Sequence, residues 1–104
     1  MSDGILSSGT RVSATATHAT AAVASITGVA GKKVYITDIS ASSDKAGAIL
    51  LVKDGTTVIW QVQVGASNYE HHFQTPLATS VAALGSVEID GTSACKANIA
   101  GVQL

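Results

Sequence analysis

The sequence predicts an all-β fold, either an antiparallel β-sandwich or a small barrel. Three observations support this class. Short segments rich in β-branched residues recur, and turn signals separate them at intervals of about 8–12 residues. Segments with helical periodicity do not alternate with these strands, which argues against a βαβ topology. The 104 residues are of single-domain length, so about seven or eight short strands should share one core.

The clearest predicted element is a β-hairpin over residues 47–64, with its turn at Asp54-Gly55. Asp and Gly tolerate the positive φ angles of a two-residue type I′ turn. This turn would pair Ile49 with Trp60. Alternation along the strands then predicts a core face with Ile49, Leu51, Val58, Trp60, Val62 and Val64. The opposite face would have Leu50, Val52, Thr57, Ile59, Gln61 and Gln63.

The segments before the hairpin predict an arm and three strands. Residues 1–10 are expected to form a flexible or partner-ordered arm, and residues 11–104 a single β-sandwich domain. Two strands with mostly small side chains are predicted at 11–17 and 20–27. The β-branched Thr residues and the lack of charged residues after Arg11 disfavour a solvent-exposed helix. A strand at 32–41 would have Tyr35, Thr37, Ile39 and Ala41 on one face and Val34, Ile36 and Asp38 on the other.

The segments after the hairpin predict four further elements. A short strand at 69–74 should end before Pro76, since proline cannot donate to a β-ladder. Residues 77–84 fit either a strand or a single helical turn. A strand at 86–89 and a closing strand at 92–103 flank Asp90-Gly91, which is a second hairpin signal.

The composition indicates a surface that is covered by partner proteins. The alternative is an uncovered surface that is simply poor in charged residues. Charged residues make up 12% of the chain, against about 25% in typical soluble domains. A net charge of −1 and 4% aromatic residues argue against nucleic acid as a partner. No apolar run reaches the roughly 18 residues of a membrane span, and the N-terminus lacks signal-peptide features. We therefore expect no membrane partner and no Sec-type export.

Candidate catalytic, cofactor and metal residues give no recognisable site, so we expect none of the three. His71 and His72 are adjacent and should point to opposite faces of a strand, which fits surface or interface histidines better than zinc ligands. Cys95 is the single cysteine and is predicted to be a small buried residue. Asp38 lies in the middle of a strand and would mark a bulge, a strand edge or an ion pair with Lys32 or Lys33.

Trp60 could stack on a sugar ring together with Tyr69 and Phe73, but the hairpin register favours a core position for it. Gln61 and Gln63 lie on the outer face of the predicted hairpin. There, neighbouring amides would meet another subunit or simply face solvent.

Four segments, taken in order, have the pattern of a known group of proteins: residues 30–42, residues 49–59, Phe73-Gln74-Thr75-Pro76-Leu77 and residues 91–102. Together they resemble small β-sandwich virion proteins of tailed bacteriophages, such as capsid decoration (cement) proteins. The resemblance spans residues 20–104. It implies a jelly-roll-like sandwich, often trimeric, that binds an assembled shell and catalyses no reaction. It also implies a virion location after synthesis in the host cytoplasm, with the major capsid protein or another virion protein as partner.

The predicted function is therefore that of a non-enzymatic phage structural protein. The alternatives are a glycan-binding or adhesin module of a phage tail or surface appendage and, less favoured, an enzyme. The low charge and the apolar outer face of the predicted hairpin indicate a closed homo-oligomer, and the resemblance sets its size as a trimer. The predicted subunit or shell contacts are Leu50, Val52, Ile59, Gln61, Gln63, Ile5, Leu6 and Arg11.

Overall fold

The computed structural model describes residues 9–104, and in this range the chain forms eight β-strands and no helix. The all-β prediction is thus confirmed. The strands are β1 (Thr10–His18), β2 (Ala21–Ile26), β3 (Val34–Ser43), β4 (Ile49–Asp54), β5 (Thr57–Gln63), β6 (Asn68–Ala78), β7 (Gly85–Asp90) and β8 (Cys95–Gln103). No helix long and apolar enough to cross a membrane occurs among these residues.

The strands form two four-stranded sheets that pack face to face. Sheet 1 has the order β1-β8-β3-β6 and sheet 2 has the order β2-β7-β4-β5, with antiparallel pairing throughout. Successive strands change sheet at every connection except the β4–β5 hairpin. Eight strands in these two orders form a jelly roll, so the predicted antiparallel sandwich of jelly-roll type is confirmed.

The two N-terminal strands with small side chains are confirmed as β1 and β2, and they lie in different sheets. Ala22 and Ala24 of β2 are each 1% exposed, whereas Val23 between them points to solvent. The two strands pack against each other and close one side of the sandwich. Small inward side chains allow the two sheets to approach closely at this side.

The predicted hairpin register is wrong. Asp54 pairs with Thr57, so the turn residues are Gly55 and Thr56, with φ of 62° at Gly55. A bulge then inserts Ile59 into β5, so that Ile49 lies opposite Gln63. The prediction placed Ile49 opposite Trp60, three residues away. An odd displacement inverts the face of β4 relative to β5, because side chains alternate along each strand.

The core consequently contains the β4 residues that were predicted to lie outside. Leu50 and Val52 are both 0% exposed, and they pair with Val62 and Trp60. Ile49, predicted to be buried, is 45% exposed. On β5 the inward direction of Trp60 and Val62 was predicted correctly, since both pack against the core.

A second bulge, at Thr37, explains the ambiguous pattern of β3. The register shifts between Ile36 and Asp38 relative to both neighbouring strands, which leaves Thr37 as an extra residue. Ile36 and Ile39 therefore both face the core, although they are three residues apart. Asp38 is directed to the outer surface. Of the three explanations for Asp38, the structure shows the bulge. The Asp38 carboxylate contacts the His72 imidazole, and not Lys32 or Lys33 as predicted.

Three predictions about strand ends and connections are also wrong. Strand β6 continues through Pro76 to Ala78, because β6 is an edge strand and its chain deviates from the β3 ladder at residues 73–76. Residues 79–84 form a loop, so the segment 77–84 is neither a strand nor a helical turn as a whole. Asp90-Gly91 connects two different sheets and is not a hairpin turn. Gly91 allows close approach there, since an added Cβ would lie 2.9 Å from Cys95 Cβ.

Asp44 links two loops at one end of the sandwich. Its carboxylate accepts hydrogen bonds from the Ser93 hydroxyl, from Ser93 N at 3.0 Å and from Thr92 N at 2.8 Å. These donors, with the Ser93 hydroxyl foremost, hold the pKa of Asp44 well below its ordinary value of 3.8. A lowered pKa in the folded state means that ionised Asp44 stabilises the fold above about pH 4, and that this contribution is lost as the pH falls further.

Substitution Asp44→Asn is therefore expected to lower the melting temperature at pH 7. The difference from the unmodified chain should shrink as the pH is lowered from about 4 towards 2. Thermal denaturation of both chains across this range measures the effect. Asp90→Asn is the control, because the Asp90 ion pair with Lys45 spans 3.8 Å on the exposed surface and should contribute little. A pH-independent difference at position 44 would contradict the prediction.

Candidate functional site

The predicted contact patch of Leu50, Val52 and Ile59 does not exist as a surface. Leu50 and Val52 are core residues, and Ile59 is partly buried against the core because it is the bulged residue of β5. Gln61 and Gln63 are exposed on the outer face of sheet 2. Arg11 is exposed at the start of β1, on sheet 1. Ile5 and Leu6 lie outside the described residues.

The outer face of sheet 2 has exposed apolar side chains, and two of them, Ile49 and Val58, were predicted to be core. Val23, Ile49 and Val58 are 44%, 45% and 43% exposed. Cross-strand pairing places Leu51 between Glu88 and Gln61, and Val23 lies on the far side of Glu88. An ion pair joins Glu88 to Lys53. We call this surface the apolar outer face, consisting of Val23, Ile49, Leu51, Val58, Gln61 and Gln63.

The outer face of sheet 1 has a different character, with a shallow groove of about 720 Å³. Two cross-strand rows of side chains line it. The first row, from β1 to β6, is Thr15, Asn98, Ser40 and Glu70. The second row is Ser13, Ala100, Asp38 and His72. We call this surface the polar groove. Beside the second row, Arg11 lines an adjoining depression of about 390 Å³.

Hydrogen bonds fix several side chains of the polar groove. Asp38 accepts from the Thr37 hydroxyl at 2.9 Å, and its other carboxylate oxygen lies 2.7 Å from His72 Nδ1. Asn98 Nδ2 donates to Ser40 Oγ at 2.8 Å, and the Thr15 hydroxyl donates to Asn98 Oδ1. The Thr37 bulge is what turns Asp38 into this network, as bulges often do beside functional sites.

The polar groove could not be predicted from the sequence, because its residues come from four strands. One signal was present: Ser13, Thr15 and Thr17 alternate with Val12, Ala14 and Ala16 along β1. This period of two indicates one hydroxyl-bearing face. The pairing of that face with Asn98 and His72 could not be predicted without the strand order.

A cluster of aromatic rings lies between the two sheets at the side formed by β5 and β6. Trp60 of β5 lies with its ring centroid 5.2 Å from that of Phe73, in an edge-to-face arrangement, and 5.1 Å from that of His71. Tyr69 stacks at 6.3 Å from His71. Trp60 thus faces inward, as predicted, and is not an exposed platform for a sugar ring. His71 points into the cluster while His72 points outward, so the prediction of opposite faces is confirmed.

Potential metal ligands and the cysteine give no further site within residues 9–104. No group of three or more His, Cys, Asp or Glu side chains is placed there to hold a metal ion. Cys95 is buried, as predicted, and its thiol lies 3.2 Å from the His18 carbonyl oxygen.

We expect the fold to be stable without a bound metal ion. Dialysis against EDTA is expected to leave the melting temperature unchanged, because each strand is ordered by backbone pairing and core packing. Differential scanning calorimetry before and after dialysis measures this. A drop that added Zn²⁺ or Ca²⁺ reverses would contradict the expectation.

Comparison with known proteins assigns no family. No family model matches the chain, and no curated protein matches it. Among solved structures, the chain is similar to a de novo designed double-stranded β-helix, at 13% identity and a TM-score of 0.40 over 86% of this chain and 97% of that one. It is also similar to the Aeromonas hydrophila periplasmic inhibitor of g-type lysozyme, at 6% identity and a TM-score of 0.41 over 91% and 89%. A Bacillus endospore appendage protein gives 13% identity and a TM-score of 0.32 over 90% of each chain.

Proposed function

We propose that this chain is a non-enzymatic virion structural protein, a decoration subunit that docks on the assembled shell of a tailed-phage particle. The observation on which this rests is the apolar outer face. Val23, Ile49 and Val58 are each more than two-fifths exposed on one sheet surface. Exposed apolar groups that share one surface mark contact sites in soluble proteins. The sequence pattern of phage decoration proteins and the low proportion of charged residues support the same function.

The mechanism of such a subunit is selective binding. A protein that binds the assembled shell and not its free subunits stabilises the assembled state by mass action. Burial of Ile49, Leu51 and Val58 would supply part of the binding free energy, at about 25 cal/mol per Å² of apolar surface removed from water. The ion pair between Lys53 and Glu88 leaves the centre of this face without net charge, which lowers the cost of burying it.

The proposal includes a closed homo-oligomer of three copies, in which the contact between subunits and the contact with the shell both use the apolar outer face. The double substitution Ile49→Lys with Leu51→Lys is expected to abolish this association, because β4 would then bring two charges into a contact that buries them without partners. Multi-angle light scattering in the micromolar range measures the oligomer mass. Thr17→Lys with Ala19→Lys is the matched control on an exposed part of sheet 1 and its loop. An unmodified chain that is monomeric, or a double-lysine variant that still assembles, would contradict this arrangement.

Binding to particles tests the function itself. Virions purified from the phage that encodes this sequence should contain the chain in a fixed ratio to the major capsid protein, by quantitative mass spectrometry. Shells stripped of the chain should rebind the unmodified protein and should not rebind the Ile49→Lys, Leu51→Lys variant. Virions that lack the chain would overturn the proposed function.

A further inference from the structure

The polar groove has the shape of an open trough because side-chain length varies across sheet 1. The two middle strands, β8 and β3, place short residues such as Ala100 and Ser40 in it. The edge strand β6 places the longer side chains of Glu70 and His72 along one side. Four strands at about 4.8 Å spacing give a surface roughly 14 Å across, wide enough for a short chain of rings to lie over Ala100.

The polar groups in the trough are oriented before any ligand arrives. The Asn98 amide is held between Thr15 and Ser40, and the Asp38 carboxylate is held between Thr37 and His72. Because His72 uses Nδ1 for Asp38, its Nε2 is directed elsewhere and remains available for a ligand. Prior ordering of such groups reduces the entropy that binding would otherwise cost.

The mixture of groups selects a class of ligand. Acceptors from Asp38 and Glu70 lie beside donors from the Asn98 amide and the Ser13 hydroxyl. A hydroxyl group both donates and accepts, so a polyhydroxylated ligand can use both kinds at once. The two carboxylates would repel a strongly anionic ligand. Arg11, which lies beside the second row, would repel a strongly cationic ligand.

A peptide fits this surface less well than a carbohydrate does. The large apolar residues at the groove, Ile39 and Ile99, are 3% and 1% exposed, so they face the core and offer no apolar pockets to peptide side chains. The Ala100 methyl instead permits the C–H face of a sugar ring to approach the sheet.

We propose that the polar groove is a binding site for an oligosaccharide. Glu70, His72 and Asn98 would hydrogen-bond its hydroxyl groups, and Ala100 would lie under a ring. The groove is on sheet 1 and the apolar outer face is on sheet 2. A subunit docked through sheet 2 would therefore expose the groove outward, and many copies on one particle would bind a glycan surface with high avidity.

Titration of the ¹⁵N-labelled protein with cellohexaose, chitohexaose and laminarihexaose tests the site. At least one of these is expected to give saturable amide shifts at Ser40, Glu70, His72 and Asn98, with a Kd on the order of 1 mM. Glu70→Gln, an exposed substitution, should weaken binding about tenfold, because it replaces a charge-assisted hydrogen bond. Ala100→Trp should abolish binding by filling the trough. Ser25→Trp, at an exposed position of β2 on the opposite sheet, is the control and should bind normally.

The absence of saturable shifts in the groove with all three sugars at about 10 mM would overturn the proposal. Shifts that persist unchanged in both Glu70→Gln and Ala100→Trp would overturn it as well, since binding would then be elsewhere. A polar hexapeptide of Gly and Ser is titrated in parallel. If it perturbs the groove while the sugars do not, the site recognises peptides and the proposal is wrong. Retained spectral dispersion of each variant shows that loss of binding is not loss of fold.

Discussion

Leu50→Ala is expected to lower the free energy of unfolding by about 2–5 kcal/mol, whereas Ile49→Ala next to it should lower it by less than about 1 kcal/mol. Leu50 is 0% exposed and packs opposite Val62, so its truncation leaves a cavity between the sheets. Ile49 is 45% exposed and lies opposite Gln63 on the outer face. The two substitutions remove similar numbers of methyl groups one residue apart, so the comparison isolates the direction in which each side chain points.

Urea denaturation followed by circular dichroism measures both changes under identical conditions. The ratio of the two losses is the decisive quantity, because it reports the register of the hairpin rather than its overall stability. A larger loss for Ile49→Ala than for Leu50→Ala would show that the register with Asp54-Gly55 as the turn is the correct one.

The number and approximate positions of the strands could be predicted from the sequence, because they depend on local signals. Segments rich in Val, Ile and Thr separated by Gly, Asp and Ser locate β1 to β5 within about two residues of their observed bounds. The count and spacing of these segments predicted a sandwich or small barrel, and the resemblance to phage proteins implied the jelly-roll type.

The faces of β3 and β4 could not be predicted, because each depends on one inserted residue. Thr37 and Ile59 are bulged, and a bulge shifts the alternation of every residue beyond it. Both residues are β-branched and fit a regular strand equally well, so nothing local marks them as extra. The same two insertions determine which side chains reach the two outer surfaces. The bulge at Thr37 directs Asp38 into the polar groove, and the shifted register of the hairpin exposes Ile49 on the apolar outer face.

The polar groove required the strand order as well as the faces. Its residues lie on β1, β3, β6 and β8, and they are separated by up to 87 positions, between Ser13 and Ala100. Only the crossing connections of the jelly roll bring Thr15 next to Asn98 and Asp38 next to His72. A sequence pattern indicates which residues share a strand face, but it contains no direct information on which strands are neighbours.

The side of the sandwich formed by β5 and β6 is closed by aromatic side chains. Backbone pairing cannot hold these two strands together, since they are the edge strands of different sheets. The opposite side, formed by β1 and β2, is closed by direct packing of strands with small side chains. The indole of Trp60 therefore spans a wider gap, and it reaches Phe73 of sheet 1 from sheet 2.

Trp60→Ala is accordingly expected to lower the free energy of unfolding by about 3 kcal/mol, since it removes the ring that connects the two edge strands. Trp60→Phe should cost about 1 kcal/mol, because a phenyl ring keeps part of the edge-to-face contact with Phe73. Urea denaturation by circular dichroism gives both values, and amide hydrogen exchange shows where the structure loosens. Faster exchange should be concentrated in β5 and β6 and should spare β1 and β2. A loss below about 1 kcal/mol for Trp60→Ala, or loosening spread evenly over all eight strands, would show that Trp60 does not close this side of the sandwich.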